Sequence, residues 1–281
     1  MKSVIRRRMF LVVLATMTGL FTTLTPVLTE GKSGFHILYA LKPNGQLSYY
    51  SYSGLPNPNN FQNQGAETVI SNGWNEYSKV FSGGCGVLFA LKPNGQLSYY
   101  SYSSLPNPNN FQNQGAETVI SNGWNEYSKV FSGGCGVLFA LKPNGQLSYY
   151  SYSSLPNPNN FQNQGAETVI SNGWNEYSKV FSGGSGVLFA LKPNGQLSYY
   201  SYIGLPDPNN FQNQGAEKVI SDGWNEYSRV FSGGCGVLFA LKPNGQLSYY
   251  SYIGLPDPNN FQNQGAEKVI SNGWNEYQNI F

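Results

Sequence analysis

The sequence predicts an all-β protein: one five-bladed β-propeller of four-stranded antiparallel blades, closed by the C-terminal strand completing the first blade. Three observations carry this. Leu-Lys-Pro-Asn-Gly-Gln-Leu-Ser-Tyr-Tyr-Ser-Tyr begins at Leu41, Leu91, Leu141, Leu191 and Leu241, and Gly-Trp-Asn-Glu-Tyr at Gly73, Gly123, Gly173, Gly223 and Gly273, so one unit recurs every 50 residues. A fixed period of this length marks a repeat architecture. Each unit holds four short, turn-bounded runs of strand character and none of helical period, which is the pattern of a propeller blade. The chain also enters the repeat at a unit's second strand (Ile37–Leu41) and leaves it at a first strand (Tyr277–Phe281), so the two part-units sum to one blade. A closed ring uses both halves, whereas an open array would leave unpaired edges at each end.

The unit after Trp74 shows the elements in order. Tyr77–Phe81 alternates large and short side chains up to Gly83-Gly84 and reads as a first strand. Val87–Leu91 is a continuous apolar run of strand length, as expected of a strand buried on both faces. Pro93-Asn94-Gly95 is a strong hairpin signal, and Leu97–Tyr102 is the third strand. The loop Leu105–Gly115 carries two prolines and cannot continue a sheet. Glu117–Ile120 is the fourth strand, before Asn122-Gly123-Trp124 turns into the next unit.

Ahead of the repeats, residues 1–32 read as a signal peptide and leader, and 33–281 as a single propeller. Lys2 and Arg6, Arg7 and Arg8 form a basic start, and Phe10 to Leu20 an apolar stretch, with cleavage expected between Thr22 and Lys32. The alternative is an uncleaved anchor over Met9–Leu28, which its threonines and Pro26 weaken. After signal removal no membrane span is expected, and the protein would be secreted or extracellular. Without those four basic residues, the 16 Lys and Arg fall to 12 against 14 Asp and Glu. No basic footprint for nucleic acid remains. Only 11% of residues are charged while 15% are aromatic, with 21 tyrosines, a composition suited to neutral polar ligands.

Catalysis has little to work with, and the chain reads as a binding protein, not an enzyme. His36 is the lone histidine and lies outside the repeated phrases. The Glu67 and Glu76 series could supply one carboxylate pair per unit, but five copies of a glycosidase site in one ring would be unusual. No cofactor or metal is expected: Cys85, Cys135 and Cys235 share a repeat position that holds Ser185 in another unit, and Asp207 and Asp257 stand where other units carry Asn. Binding has more. The expected site residues are Asn59, Asn60, Phe61, Trp74 and Asn75, with their copies Asn109, Asn110, Phe111, Trp124 and Asn125; Asn159, Asn160, Phe161, Trp174 and Asn175; Asn209, Asn210, Phe211, Trp224 and Asn225; and Asn259, Asn260, Phe261, Trp274 and Asn275. Trp and Phe offer flat apolar faces to the C–H side of a pyranose, and Asn offers a donor and an acceptor to hydroxyl or acetamido groups. The bland reading of the same residues is Trp packed between blades and Asn as turn formers.

With strand order, Gly-Trp connector and Asn-Asn-aromatic loop in hand, residues 34–281 resemble the tachylectin family of five-bladed propeller lectins. Asn59-Asn60-Phe61 stands where that family has Asp-Asn-Trp, Asn72-Gly73-Trp74 where it has a Gly-Gly-Trp turn, and Tyr77 at the aromatic that follows. The hairpin Lys42–Gln46 is longer than usual for it. The resemblance implies metal-free binding of N-acetylglucosamine and N-acetylgalactosamine at sites between neighbouring blades. Each site would join the long loop of one blade to the connector arriving from the previous one. It would pair Trp74 with Asn109 and Asn110, and so on round the ring to Trp274 with Asn59 and Asn60. The expected function is a secreted, multivalent lectin for glycans carrying N-acetylated sugars. The alternative is a structural or protein-binding propeller presenting a Tyr/Asn-rich face, with Tyr49, Tyr50, Tyr52 and their copies.

Overall fold

The computed structural model describes residues 36–52, 66–84, 86–101, 116–134, 136–152, 166–184, 186–202, 215–234, 236–252 and 266–281. The leader, the three cysteines and the Asn-Asn-Phe segments lie outside the described residues. Blade 1 contains β1 (His36–Leu41), β2 (Leu47–Tyr52) and β3 (Thr68–Ser71). Blade 2 is β4 (Lys79–Gly84), β5 (Val87–Leu91), β6 (Leu97–Ser101) and β7 (Thr118–Ser121). Blade 3 is β8 (Lys129–Gly134), β9 (Val137–Leu141), β10 (Leu147–Ser151) and β11 (Thr168–Ser171). Blade 4 is β12 (Lys179–Gly184), β13 (Val187–Leu191), β14 (Leu197–Ser201) and β15 (Lys218–Ser221). Blade 5 is β16 (Arg229–Gly234), β17 (Val237–Leu241), β18 (Leu247–Ser251) and β19 (Lys268–Ser271). β20 (Asn279–Ile280) returns to blade 1, giving five four-stranded sheets, the first ordered β20-β1-β2-β3.

The expected closure is therefore present. Ala40 pairs with Ile280 and Leu41 with Asn279, and the Tyr39 and Phe281 backbones exchange N–H···O bonds of 2.8 and 3.1 Å. The first strands β4, β8, β12 and β16 adjoin one another about the axis. They start later than expected. Trp74–Glu76 forms one 3₁₀ turn, so Tyr77 caps that turn, the strand begins at Lys79, and it runs on through Gly83-Gly84 with a bulge after Ser82. Gly73 opens the turn at φ 93°, in the left-handed region that glycine enters without steric cost.

Hydrophobic side chains gather in five clusters, one at each blade–blade interface. Phe81, Phe89 and Tyr99 of blade 2 meet Tyr127, Leu138 and Tyr152 of blade 3, and Leu247 and Trp274 of blade 5 meet Leu38, Tyr52 and Ile280 of blade 1. Each blade buries both faces against neighbours, which is why the second strand reads as unbroken Val-Leu-Phe-Ala-Leu. Of the three tyrosine series that the alternative reading placed on an interaction face, two belong to this interior, and the Tyr50 series is half-buried. Tyr49, Tyr99, Tyr149, Tyr199 and Tyr249 are buried, as are Tyr52, Tyr152, Tyr202 and Tyr252. Their hydroxyls explain the tolerance: Tyr152 donates to the Gly83 carbonyl (3.1 Å), Tyr202 to Gly133 (2.7 Å) and Tyr52 to Gly233 (3.0 Å). A buried tyrosine with such a partner keeps its apolar area and leaves no unsatisfied group.

Candidate functional site

The Gly-Trp connector is built by its own blade and delivered to the next. Trp124 N–H donates to the Gly95 carbonyl at 3.0 Å, fastening the connector to the Lys92–Gln96 hairpin. Gly95 has φ 88°, and a Cβ there would lie 2.4 Å from Asn125 Oδ1. The hairpin glycine and the connector asparagine therefore occupy complementary space. All five connectors repeat this contact, from Gly45 with Asn75 to Gly245 with Asn275.

Each tryptophan is buried, 3–4% exposed. Trp174 spends its indole N–H on Ser171 Oγ at 2.7 Å and lies against two rings of the following blade, Tyr200 at 4.6 Å and Tyr177 at 5.6 Å between centroids. Tyr177 and Tyr200 share a 2.5 Å hydroxyl–hydroxyl bond. Burial, reinforced by that bond, pushes the Tyr177 phenol well above its ordinary range. Lys192 lies 5.7 Å above the Tyr177 ring and 3.0 Å from Glu217 Oε1, which also accepts from Ser198 Oγ at 2.8 Å. Burial alone would raise the Glu217 carboxyl, but the bonds from Lys192 and Ser198 and the Lys192 charge carry it below its usual value. Glu217 is thus an ionised, saturated carboxylate, unsuited to donate a proton. Every blade repeats this lysine–glutamate pair, from Lys42–Glu67 to Lys242–Glu267.

Trp174 and the Tyr177–Tyr200 pair border a pocket of about 300 Å³ lined by Ser171, Asn172, Gly173, Trp174, Glu176, Tyr177, Tyr200 and Gly215. It straddles two blades: Ser171–Trp174 leave blade 3, while Tyr200 and Gly215 belong to blade 4. Gly215 ends the loop that carries Asn209, Asn210 and Phe211. The structure thus brings the Trp half of the expected site to the following blade. The Asn-Asn-Phe half lies outside the described residues. Asn75 and its copies are exposed beside the hairpin glycines. At the ring seam, Trp274 stands 4.6 Å from Tyr50, and the Tyr50 and Tyr277 hydroxyls meet at 2.6 Å across a sequence separation of 227. That junction therefore depends on closure.

Sequence reasoning missed the tyrosine pair and the Lys–Glu–Ser group. The repeated Ser-Tyr-Tyr phrase and the Glu67 series were visible, but their partners lie 19 to 25 residues away, too far for a local pattern. Among the described residues, no group of three or more His, Cys, Asp or Glu side chains gathers, and no helix is long and apolar enough to cross a membrane.

The Tachylectin family model matches residues 18–162, 106–211 and 164–281. No curated protein matches the sequence. Among solved structures, one from work on the de novo evolutionary emergence of a symmetrical protein shaped by folding constraints is similar. Its TM-score is 0.54 at 16% identity, covering 88% of this chain and 98% of that one. Prp20p from Saccharomyces cerevisiae gives 0.41 at 11% identity, covering 84% and 61%. The periplasmic gluconolactonase PpgL of Pseudomonas aeruginosa gives 0.37 at 15%, covering 88% and 69%. These likenesses concern the fold alone, and the last two are too distant to bear on the reading below.

Proposed function

The chain belongs to the tachylectin family, and from that premise we propose that it is an extracellular, metal-independent lectin. It binds N-acetylglucosamine or N-acetylgalactosamine at five sites between blades. The observation that carries this reading is the pocket between the Trp174 connector and the Tyr200 blade, closed on one side by Gly215. Its volume is at the lower end of the roughly 300–1,000 Å³ usual for ligand pockets, which suits one sugar ring. Tyr200 is half-buried and Trp174 packs against it at a tilt of 48°, so the wall is aromatic and rigid. Asn172 and Glu176 are exposed at the rim and can accept from sugar hydroxyls or an acetamido N–H. Five linked copies of a weak site raise avidity toward clustered glycans by orders of magnitude without any new contact.

Titration calorimetry with N-acetylglucosamine and N-acetylgalactosamine tests the proposal. Near-identical units predict about five equal weak sites per chain, matching the five copies of the connector. A single tight site, or no heat with either sugar alongside a silent glycan array, would refute it. Burial of the Tyr49 and Tyr52 series leaves the protein-binding alternative only the half-buried Tyr50 series and the exposed asparagines.

A further inference from the structure

The repeats place one more polar group on the axis, at the start of each blade's first strand: Lys79, Lys129, Lys179, Arg229 and, on the closing strand, Asn279. All five are half-buried. Each of the last four reaches forward to the next blade, and the link from blade 2 to blade 3, where Lys79 stands, is open. Lys129 Nζ donates to the Tyr177 and Ser178 carbonyls at 2.9 and 2.8 Å, and Lys179 Nζ to those of Tyr227 and Ser228 at 3.0 and 2.8 Å. Arg229 Nη2 donates to the Gln278 carbonyl, and Asn279 Nδ2 to that of Val80 at 3.0 Å. Four cations thus ring the axis at one level.

Two features do not fit a purely structural role. The ring has no countercharge: the lysine-paired glutamates are engaged on the outer part of each blade, and no described carboxylate pairs with Lys79, Lys129, Lys179 or Arg229. Donors are also in surplus. Arg229 Nη1 is buried without a hydrogen-bond partner. Lys79 has no carbonyl or carboxylate acceptor among the described residues, and its Nζ lies over the Phe81 ring at 6.0 Å from the centroid. An ammonium offers three donors, so Lys129 and Lys179 each keep one beyond their two carbonyls. A buried, unpaired donor such as Arg229 Nη1 costs about 1–3 kcal/mol, and unpaired cationic donors on neighbouring first strands suit a multivalent acceptor.

We propose that the cation ring at the propeller axis binds a small tetrahedral oxyanion, phosphate or sulfate, held by Lys79, Arg229 Nη1 and the spare donors of Lys129 and Lys179. Such an ion supplies four acceptor oxygens and negative charge together, which chloride does not. Consistent with the geometry, burial and the neighbouring cation pull the Lys79 and Lys179 ammonium groups down to about 8, as expected of a site held without its counter-ion. The site is separate from the inter-blade pockets and independent of the sugar reading.

The test is thermal unfolding and calorimetry of the full chain in sodium sulfate or phosphate against sodium chloride at matched ionic strength. One oxyanion per chain is expected, with a rise in melting temperature that chloride does not reproduce. Lys79→Met removes the one lysine that holds no inter-blade carbonyl, and should weaken sulfate affinity about tenfold or more. Asn279→Lys, which adds a fifth cation, should strengthen it and keeps the test valid if Lys79→Met fails to fold. A sulfated monosaccharide run in parallel distinguishes a free ion from an ester as the source: tighter binding than inorganic sulfate assigns the site to esters, weaker binding to the free ion. Equal stabilisation by sulfate and chloride would overturn the proposal. So would unchanged sulfate affinity in both variants.

Discussion

The ring is closed by a strand two residues long, and Ile280 is where that closure can be weighed. Its side chain is 3% exposed and packs with Leu38, Ala40, Leu247 and Trp274, joining blades 1 and 5. Ile280→Ala should cost about 2–5 kcal/mol by the usual scale for buried aliphatic truncation, a large share of the roughly 5–15 kcal/mol that holds a folded protein. Deleting residues 279–281 removes the same contacts and the two Tyr39–Phe281 backbone bonds, worth about 0.5–1.5 kcal/mol each. It also releases three residues, each regaining roughly 1–2 kcal/mol of backbone entropy. Because it also removes the Phe281–Tyr39 stack and the Asn279–Val80 bond, the truncation should destabilise at least as much as the point substitution. What it adds is an open β1 edge, a template for pairing with another chain. Urea unfolding followed by tryptophan fluorescence measures the first effect, and sedimentation the second. The closure argument fails if Ile280→Ala costs less than about 1 kcal/mol and the truncated chain stays monomeric.

Three further outcomes follow from particular contacts. Gly95→Ala should cost about 1–3 kcal/mol, combining strain at φ 88° with the clash on Asn125; Gly95→Ala with Asn125→Ala should recover the steric part only, and full recovery would show that backbone strain is absent. Stability should rise from pH 7 toward about 9–10 and then fall. Lys79 and Lys179 have folded values near 8, below the ordinary 10.5, so the folded state is penalised while they are charged and relieved as pH rises through 8. Tyr152 and Tyr202 are raised to about 12, so above pH 10 the unfolded chain loses protons first and stability drops. Urea midpoints at pH 7, 9 and 11 would refute this if they declined steadily. Sugar binding should survive chelator, and loss in EDTA restored by calcium would end the metal-free reading.

The blade count, strand order and closure were legible because they rest on local signals repeated five times. Turn chemistry at Asn94-Gly95, the apolar Val87–Leu91 run and the phase of the two termini each needed only neighbouring residues. Tyr77 was misread as strand because its alternation with Val and Phe resembles the strand that follows, while the 3₁₀ turn is set by contact of Trp74 with the Gly45 carbonyl. Burial of the Tyr52 series was not legible because the polarity of its members was visible, whereas the carbonyls that satisfy them lie up to 181 residues away. The Lys–Glu–Ser group beside the tyrosine pair was hidden for the same reason. The basic residue at the start of the first strand in four units reads as surface in sequence, and these residues come together about the axis only when the blades close.

The closing strand departs from the repeat where it meets the seam. Gln278-Asn279-Ile280 stands where the other first strands carry Ser-Lys-Val or Ser-Arg-Val. Both latter changes act on closure. Ile280 adds one methylene to a buried site where the other blades have Val, worth about 0.8 kcal/mol. Asn279 keeps the forward bond to the next blade, through Val80, but omits a fifth positive charge from an axis that already holds four. Every other blade is tethered at both ends by chain connectivity, so its first strand pairs at high effective concentration. Blade 1 alone must recruit its first strand from the far end of the chain. More buried area and less repulsion at that seam lower the cost of the one pairing that connectivity does not enforce.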